Sequence, residues 1–97
     1  MAELKVKRTF FLSETERLDL NLWEVPSDKE YPEGKKYSVN YSTFVQGKWI
    51  DKIRIDNKKR EGHHLHFKGV IKEYSYVSFE KVVKDVNKLI KKLKGGE

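Results

Sequence analysis

Leu18, Leu20 and Leu22 alternate with Asp19, Asn21 and Trp23. A period of two puts the three leucines on one face of an extended strand. The competing reading is a helix over 13–23, with Ser13 as N-cap and Glu16 completing a capping box; the strict alternation favours the strand. The same alternation carries Tyr37, Val39, Tyr41, Thr43 and Val45 through a strand over 36–45. Gln46-Gly47-Lys48 reads as a tight turn, so 49–56 returns antiparallel. On that strand Trp49, Ile53 and Ile55 are expected on one face, and Lys52, Arg54 and Asp56 on the other. Lys5–Leu12 is apolar and branched enough for a first strand, closed by the polar break Ser13-Glu14-Thr15-Glu16. After a basic loop over 57–62, Leu65 and Phe67 alternate with His64, His66 and Lys68. Val70–Val77 continues as strand beyond a bend at Gly69. Pro26–Gly34 holds both prolines and ends in glycine, which excludes regular structure and leaves a plain connection or a flap.

The period then changes. Phe79, Val82, Val83, Val86, Leu89, Ile90 and Leu93 recur at helical spacing. Ser78 stands where an N-cap belongs, Glu80 falls in the first turn, Lys91, Lys92 and Lys94 fall in the last, and Gly95-Gly96 ends the run. A sheet with one apolar face needs a cover, and one amphipathic helix is available. The expected fold is α+β: an antiparallel meander of about five to six strands with the C-terminal helix packed on one face. Residues 1–94 form a single domain and 95–97 a flexible C-terminal tail.

Composition sharpens this in two respects. Five Tyr, five Phe and two Trp compensate for an apolar share of only 37% in 97 residues, because each aromatic ring buries a large area. The charge is uneven: residues 1–47 carry 7 basic and 8 acidic side chains, whereas 48–97 carry 14 and 7. A basic half suits a polyanion such as RNA, although surplus lysine also serves solubility. There is no cysteine, hence no disulfide framework and no thiolate metal site. No apolar run approaches a membrane span, so a cytoplasmic location without membrane attachment is expected. Abundant Lys and Glu with sparse Ala, Gln and Asn is a bias shared with hyperthermophile proteins.

The chemistry collects in one hairpin. All three histidines lie at 63, 64 and 66. Burial sets strand register, so Ile53 and Ile55 must share the helix-covered face with Leu65 and Phe67. Pairing Ile55 with Leu65 and Ile53 with Phe67 satisfies both, and sets Asp56 opposite His64 and Arg54 opposite His66. Opposed Cβ atoms are about 4.5–5.5 Å apart, so Arg54, Asp56, His64 and His66 should cluster on the open face, with Asn40 and Ser42 extending the polar strip. His63 should point the other way or sit at the loop mouth with Asn57. A carboxylate beside an imidazole raises its proton affinity and fixes its tautomer. An arginine can hold a phosphate through two parallel hydrogen bonds. Two imidazoles and an arginine suffice for metal-free RNA cleavage by general acid–base catalysis. The competing readings are a cross-strand charge cluster that only stabilises the sheet, and a zinc site on His64, His66 and Asp56, whose spacing matches no standard signature.

Lys52, Lys58, Lys59, Arg60 and Lys68 flank the cluster as candidate phosphate contacts. Trp23, Trp49 and Phe79 could stack on bases, though core packing is the first expectation for each. The helix lysines Lys81, Lys84, Lys88, Lys91 and Lys92 form a solvated face or add to the basic surface.

Arg54-Ile55-Asp56-Asn57, a short loop, and His63-His64-Leu65-His66 resemble the signature of the TumE-type toxin family of toxin–antitoxin modules. That family shows a Tyr-rich strand, an Arg-aromatic-Asp-Asn element, a His-His-x-His or His-x-His element, then a Phe/Ser-Leu-Glu helix with an Asp-Val pair. Lys36–Tyr41, Arg54–Asn57, His63–His66 and Val77–Val86 fill those slots in order. Lys58-Lys59-Arg60 departs from the Ala-His or Pro-His that often follows the Asn. The resemblance implies a toxin-like role. The candidate site residues are Arg54, Asp56, Asn57, His63, His64 and His66, and no metal or other cofactor is expected. The resemblance also implies a cognate antitoxin, often a helix-turn-helix protein. The expectation is therefore a toxin-like protein acting on RNA, potentially as a metal-independent ribonuclease. The alternatives are a non-catalytic nucleic-acid-binding domain, or a partner-binding domain whose open sheet face forms a homodimer.

Overall fold

The computed structural model describes residues 2–58 and 62–95, with the Lys58 side chain also left aside. Six strands run in the order β1 (Glu3–Ser13), β2 (Glu16–Glu24), β3 (Lys35–Val45), β4 (Lys48–Lys58), β5 (Gly62–Phe67) and β6 (Val70–Glu73), followed by α1 (Phe79–Gly95). They form one antiparallel sheet in sequence order, the meander expected from the alternation. The Gly96-Glu97 tail lies outside the described residues, as do Lys59 and Arg60.

Turn chemistry explains why strands neighbouring in sequence pair so closely. Gln46 and Gly47 have φ of 49° and 80°, and Lys68 and Gly69 have 52° and 76°. Two successive left-handed residues give a turn whose twist matches the flanking strands, and glycine takes that conformation without steric cost. The apparent bend at Gly69 is thus a complete reversal, and β6 ends at Glu73 instead of running to Val77. Residues 74–78 leave the sheet because they must cross to the helix. Tyr74 marks the departure: its N–H donates to the His63 carbonyl at 3.0 Å and its hydroxyl to Asp85 on α1 at 2.5 Å.

The helix begins as its sequence requires. Ser78 Oγ accepts the Lys81 N–H at 3.1 Å, an N-cap bond that satisfies one of the unpaired first-turn donors. Val82, Val86 and Ile90 are buried against Leu18, Tyr37, Val39, Tyr41, Ile53 and Ile55. The helix lies over β3 and β4, so Leu65 and Phe67 on β5 are only partly buried at the margin of this core.

One departure from strict alternation changes the sheet. Tyr41 pairs with Ile53 but Ser42 pairs with Asp51, leaving Lys52 as an unpaired extra residue. Such a β-bulge re-aims everything on one side of it. Trp49 was expected beside Ile53 and Ile55; instead it pairs with Phe44 and lies on the open face. Lys52 correspondingly has no register partner, yet it lines the same cleft as Arg54 and His66.

The far end of the helix is tied to the β1–β2 turn. Glu16 Oε1 accepts from the Tyr41 hydroxyl at 2.7 Å and meets Lys94 Nζ at 2.8 Å. The hydrogen bonds from Lys94 and Tyr41 hold the Glu16 carboxyl down to about 2. A depressed carboxyl contributes stability that is fully present above its unfolded value, near 4.5, and is lost as pH falls towards 2. Thermal melts across that window should therefore fall with acidification, and Glu16→Gln should flatten the dependence. Equal slopes for the two proteins would show that this tie does not contribute.

Candidate functional site

The observed β4–β5 register is Arg54 with His66, Ile55 with Leu65, Asp56 with His64 and Asn57 with His63. Because Ile53 and Ile55 are completely buried under the helix, Arg54 and Asp56 are forced to the other side, together with His64 and His66. Asn40 and Ser42 reach the same strip from β3. Asp51 joins them through the bulge.

Arg54 is bracketed by carboxylates. Its Nε lies 3.2 Å from Asp56 Oδ2, close enough for an ion pair but not aligned as a hydrogen bond, and its Nη1 lies 3.5 Å from Asp51 Oδ2. Asp51 Oδ1 in turn accepts from Ser42 Oγ at 2.9 Å and from Asn40 Nδ2 at 3.1 Å. Asp56 is only 9% exposed, and its Oδ1 has no hydrogen-bond partner among the described residues. His66 Nε2 stands 3.7 Å from that oxygen. His64 Nδ1 is 3.1 Å from the Gly62 carbonyl oxygen. A carbonyl only accepts, so Nδ1 carries the proton and the neutral ring offers Nε2 as an acceptor. The result is an arginine between two carboxylates with two imidazoles beside them. Among the described residues, no three His, Asp or Glu side chains converge as a metal ligand set.

Two residues of the motif lie elsewhere. Asn57 is buried, and its amide continues the β3–β4 ladder where the backbone pairing stops. Oδ1 accepts the Tyr37 N–H at 2.9 Å, and Nδ2 donates to the Lys35 carbonyl at 2.7 Å. His63 faces the helix side of the sheet. Its ring stacks on Tyr76 at 4.6 Å and on Tyr37 at 5.6 Å. Its Nδ1 is 2.8 Å from the Tyr37 hydroxyl, and its Nε2 is 3.0 Å from Glu33. Burial pushes the Tyr37 phenol well above its ordinary range, so it stays a neutral donor. The hydrogen bond from His63 holds the Glu33 carboxyl below its usual value. His63 therefore anchors the 25–34 loop, which is internally bonded through Val25, Asp28, Tyr31 and Gly34.

Sequence reasoning missed Asp51, because a bulge leaves no signature in the alternation, and Glu33, because a loop residue carries no periodicity. Of the candidate phosphate contacts, Lys52 lines the same cleft as Arg54 and His66. Lys68 sits in the β5–β6 turn with its ammonium 5.4 Å from the Phe67 ring centre. Lys59, Arg60 and the Lys58 side chain fall outside the described residues. The helix lysines are on the opposite side of the sheet from the cluster, and Lys81 and Lys94 are paired with Asp85 and Glu16.

No helix among the described residues is long and apolar enough to cross a membrane. Comparison with curated proteins and with solved structures yields no match. Comparison with protein-family models yields one that spans nearly the whole chain, described as "Toxin TumE" and matching residues 2–94. The chain belongs to the TumE toxin family.

Proposed function

We propose that this toxin-family protein acts on RNA through Arg54, Asp56, His64 and His66, cleaving the backbone without a metal. The observation that supports this reading best is the β4–β5 register, which gathers two imidazoles, a carboxylate and a guanidinium on one uncovered sheet face. His64, with its Nδ1–H engaged by Gly62, is the base: its Nε2 takes the proton of a 2′-hydroxyl. The 2′-oxygen attacks phosphorus, the 5′-oxygen departs, and a 2′,3′-cyclic phosphate remains. His66, facing the Asp56 carboxylate, supplies the proton that the leaving oxygen needs. Arg54 is held in place by Asp51 and Asp56 and carries five N–H donors, enough to stabilise the charged phosphorane as well.

Asn57 and His63 act in this reading by holding β3, β4 and the 25–34 loop in register. Lys52, Lys58, Lys59, Arg60 and Lys68 guide the phosphates. A strand of RNA lying on the open face does not meet the helix lysines, which remain a solvated surface. Membership of a toxin family also implies a cognate antitoxin, and the cytoplasm is the compartment where both would meet RNA.

His64→Ala and His66→Ala should each reduce RNA cleavage, or growth inhibition on expression, by roughly a hundredfold or more. Each should leave the protein folded, at a cost of about 1–2 kcal/mol at most for these part-buried positions. Chemical denaturation and a gel-based cleavage assay measure the two effects. Equal activity of wild type and both variants would refute acid–base catalysis and leave a binding function.

His63→Ala should do the opposite in a denaturation series. It removes two hydrogen bonds and two ring stacks, a loss on the order of 2–4 kcal/mol. A fully stable His63→Ala protein would contradict the anchoring role.

Asp56→Asn removes the negative charge beside His66 and should move one limb of the pH–rate profile to lower pH. An unmoved profile would mean that His66 does not supply the proton.

A further inference from the structure

We propose that the end of the open face around Trp49 is a base-stacking platform that binds single-stranded RNA and leads it to Arg54 and His66. The inference rests on the proposed action on RNA and extends it to the form of substrate the face can take.

The bulge at Lys52 turns Trp49 out of the core and onto the side that carries the imidazoles. There it meets Phe44 at 5.2 Å and Phe11 at 6.0 Å between ring centres. Arg17 lays its guanidinium over the indole at 4.7 Å while its Nε bonds to Asp19 at 2.8 Å. Phe11 is 66% exposed and Phe44 41%. Leaving aromatic rings in water is costly, and nothing among the described residues covers Phe11 and Phe44.

The chemistry of the surroundings selects the occupant. By register, the open face presents Lys7, Arg17, Lys36 and Arg54 against Asp19, Asp51, Asp56 and Glu73, and Lys52 lines the cleft beside Arg54 and His66. Basic side chains only narrowly outnumber acidic ones there, enough to guide phosphates but not to hold a strand by charge alone, so the rings supply the rest. Every base has a π-face, and aromatic side chains with stacked arginine are the usual sequence-tolerant way to hold one. A flat sheet reaches such faces only when the bases are unpaired, which excludes a duplex.

The platform and the imidazoles share one face of the sheet. Phe44 and Asn40, the β3 partners of Trp49 and Arg54, are four residues apart, about 13 Å at the rise of a strand. Beside Arg54, between β4 and the β5–β6 hairpin, opens a cleft of ≈ 250 Å³ lined by Asp51, Lys52, Arg54, His66, Val70 and Ile71. Its mixture of apolar and charged side chains suits a base and its sugar-phosphate.

The test uses Trp23→Phe protein, in which Trp49 is the sole tryptophan. It is titrated with a ten-nucleotide 2′-O-methyl RNA, which cannot be cleaved, and with an abasic oligomer of equal length. The base-bearing strand should quench Trp49 fluorescence and bind about tenfold or more tightly than the abasic one. Trp49→Ala should lose that advantage, Trp49→Phe should keep most of it, and Phe11→Ala, at a freely exposed position, should weaken binding without affecting folding. RNA bound equally by wild type, Trp49→Ala and Phe11→Ala would overturn the platform while leaving action on RNA intact. Failure of the wild type to bind RNA even at low salt would overturn both. A dimer by sedimentation that Phe11→Ala dissolves, with no quenching by RNA, would identify the face as a contact between copies and also overturn the platform.

Discussion

The burial of Ile53 and Ile55 beneath the helix is the constraint from which the rest of the molecule follows. Side chains on a strand alternate, so fixing two isoleucines inward fixes Arg54 and Asp56 outward. The same requirement at Leu65 and Phe67 selects one β4–β5 register among those the hairpin could adopt. A slip of one residue in β5 would carry His64 and His66 to the helix side and expose Leu65 and Phe67, which makes the slipped pairing less stable. The geometry of the candidate site is therefore a consequence of core packing. Its residues need no special backbone conformation to meet.

The residues singled out along β4, β5 and the helix divide into two kinds when seen in three dimensions. Asn57 substitutes a side-chain amide for a missing rung of the β3–β4 ladder. Asp85 receives the Tyr74 hydroxyl where the chain crosses from sheet to helix, and Val86 fills the core. His63 anchors a loop through Tyr37 and Glu33. Arg54, Asp56, His64 and His66 instead meet one another on the open face. Adjacent histidines on a strand must face opposite ways, and the His-His pair uses both.

Much of this was legible in the alternation. The six-strand meander, the N-cap at Ser78, the pairing of Asp56 with His64 and the reversal of His63 follow from period two and period 3.6 applied to apolar positions. The Lys52 bulge was not legible, because an extra residue in one strand shows only against its partner. Trp49 and Asp51 moved to the open face as a result. The early end of β6 was hidden for a related reason: Tyr74 and Tyr76 look like strand residues, but they pack towards the helix and His63. Glu33 lay in a loop whose composition says only that it turns.

The central claim is that the open face, and not the helix side of the sheet, meets RNA. Long-range nitrogen–proton spectra resolve the three imidazoles separately and test it most directly. On titration with a 2′-O-methyl RNA strand, the ring signals of His64 and His66 should shift in proportion to binding, while those of His63, packed against Tyr37 and Tyr76 on the helix side, stay in place. Shifts confined to His63, or saturating RNA binding that leaves His64 and His66 unmoved, would contradict the account.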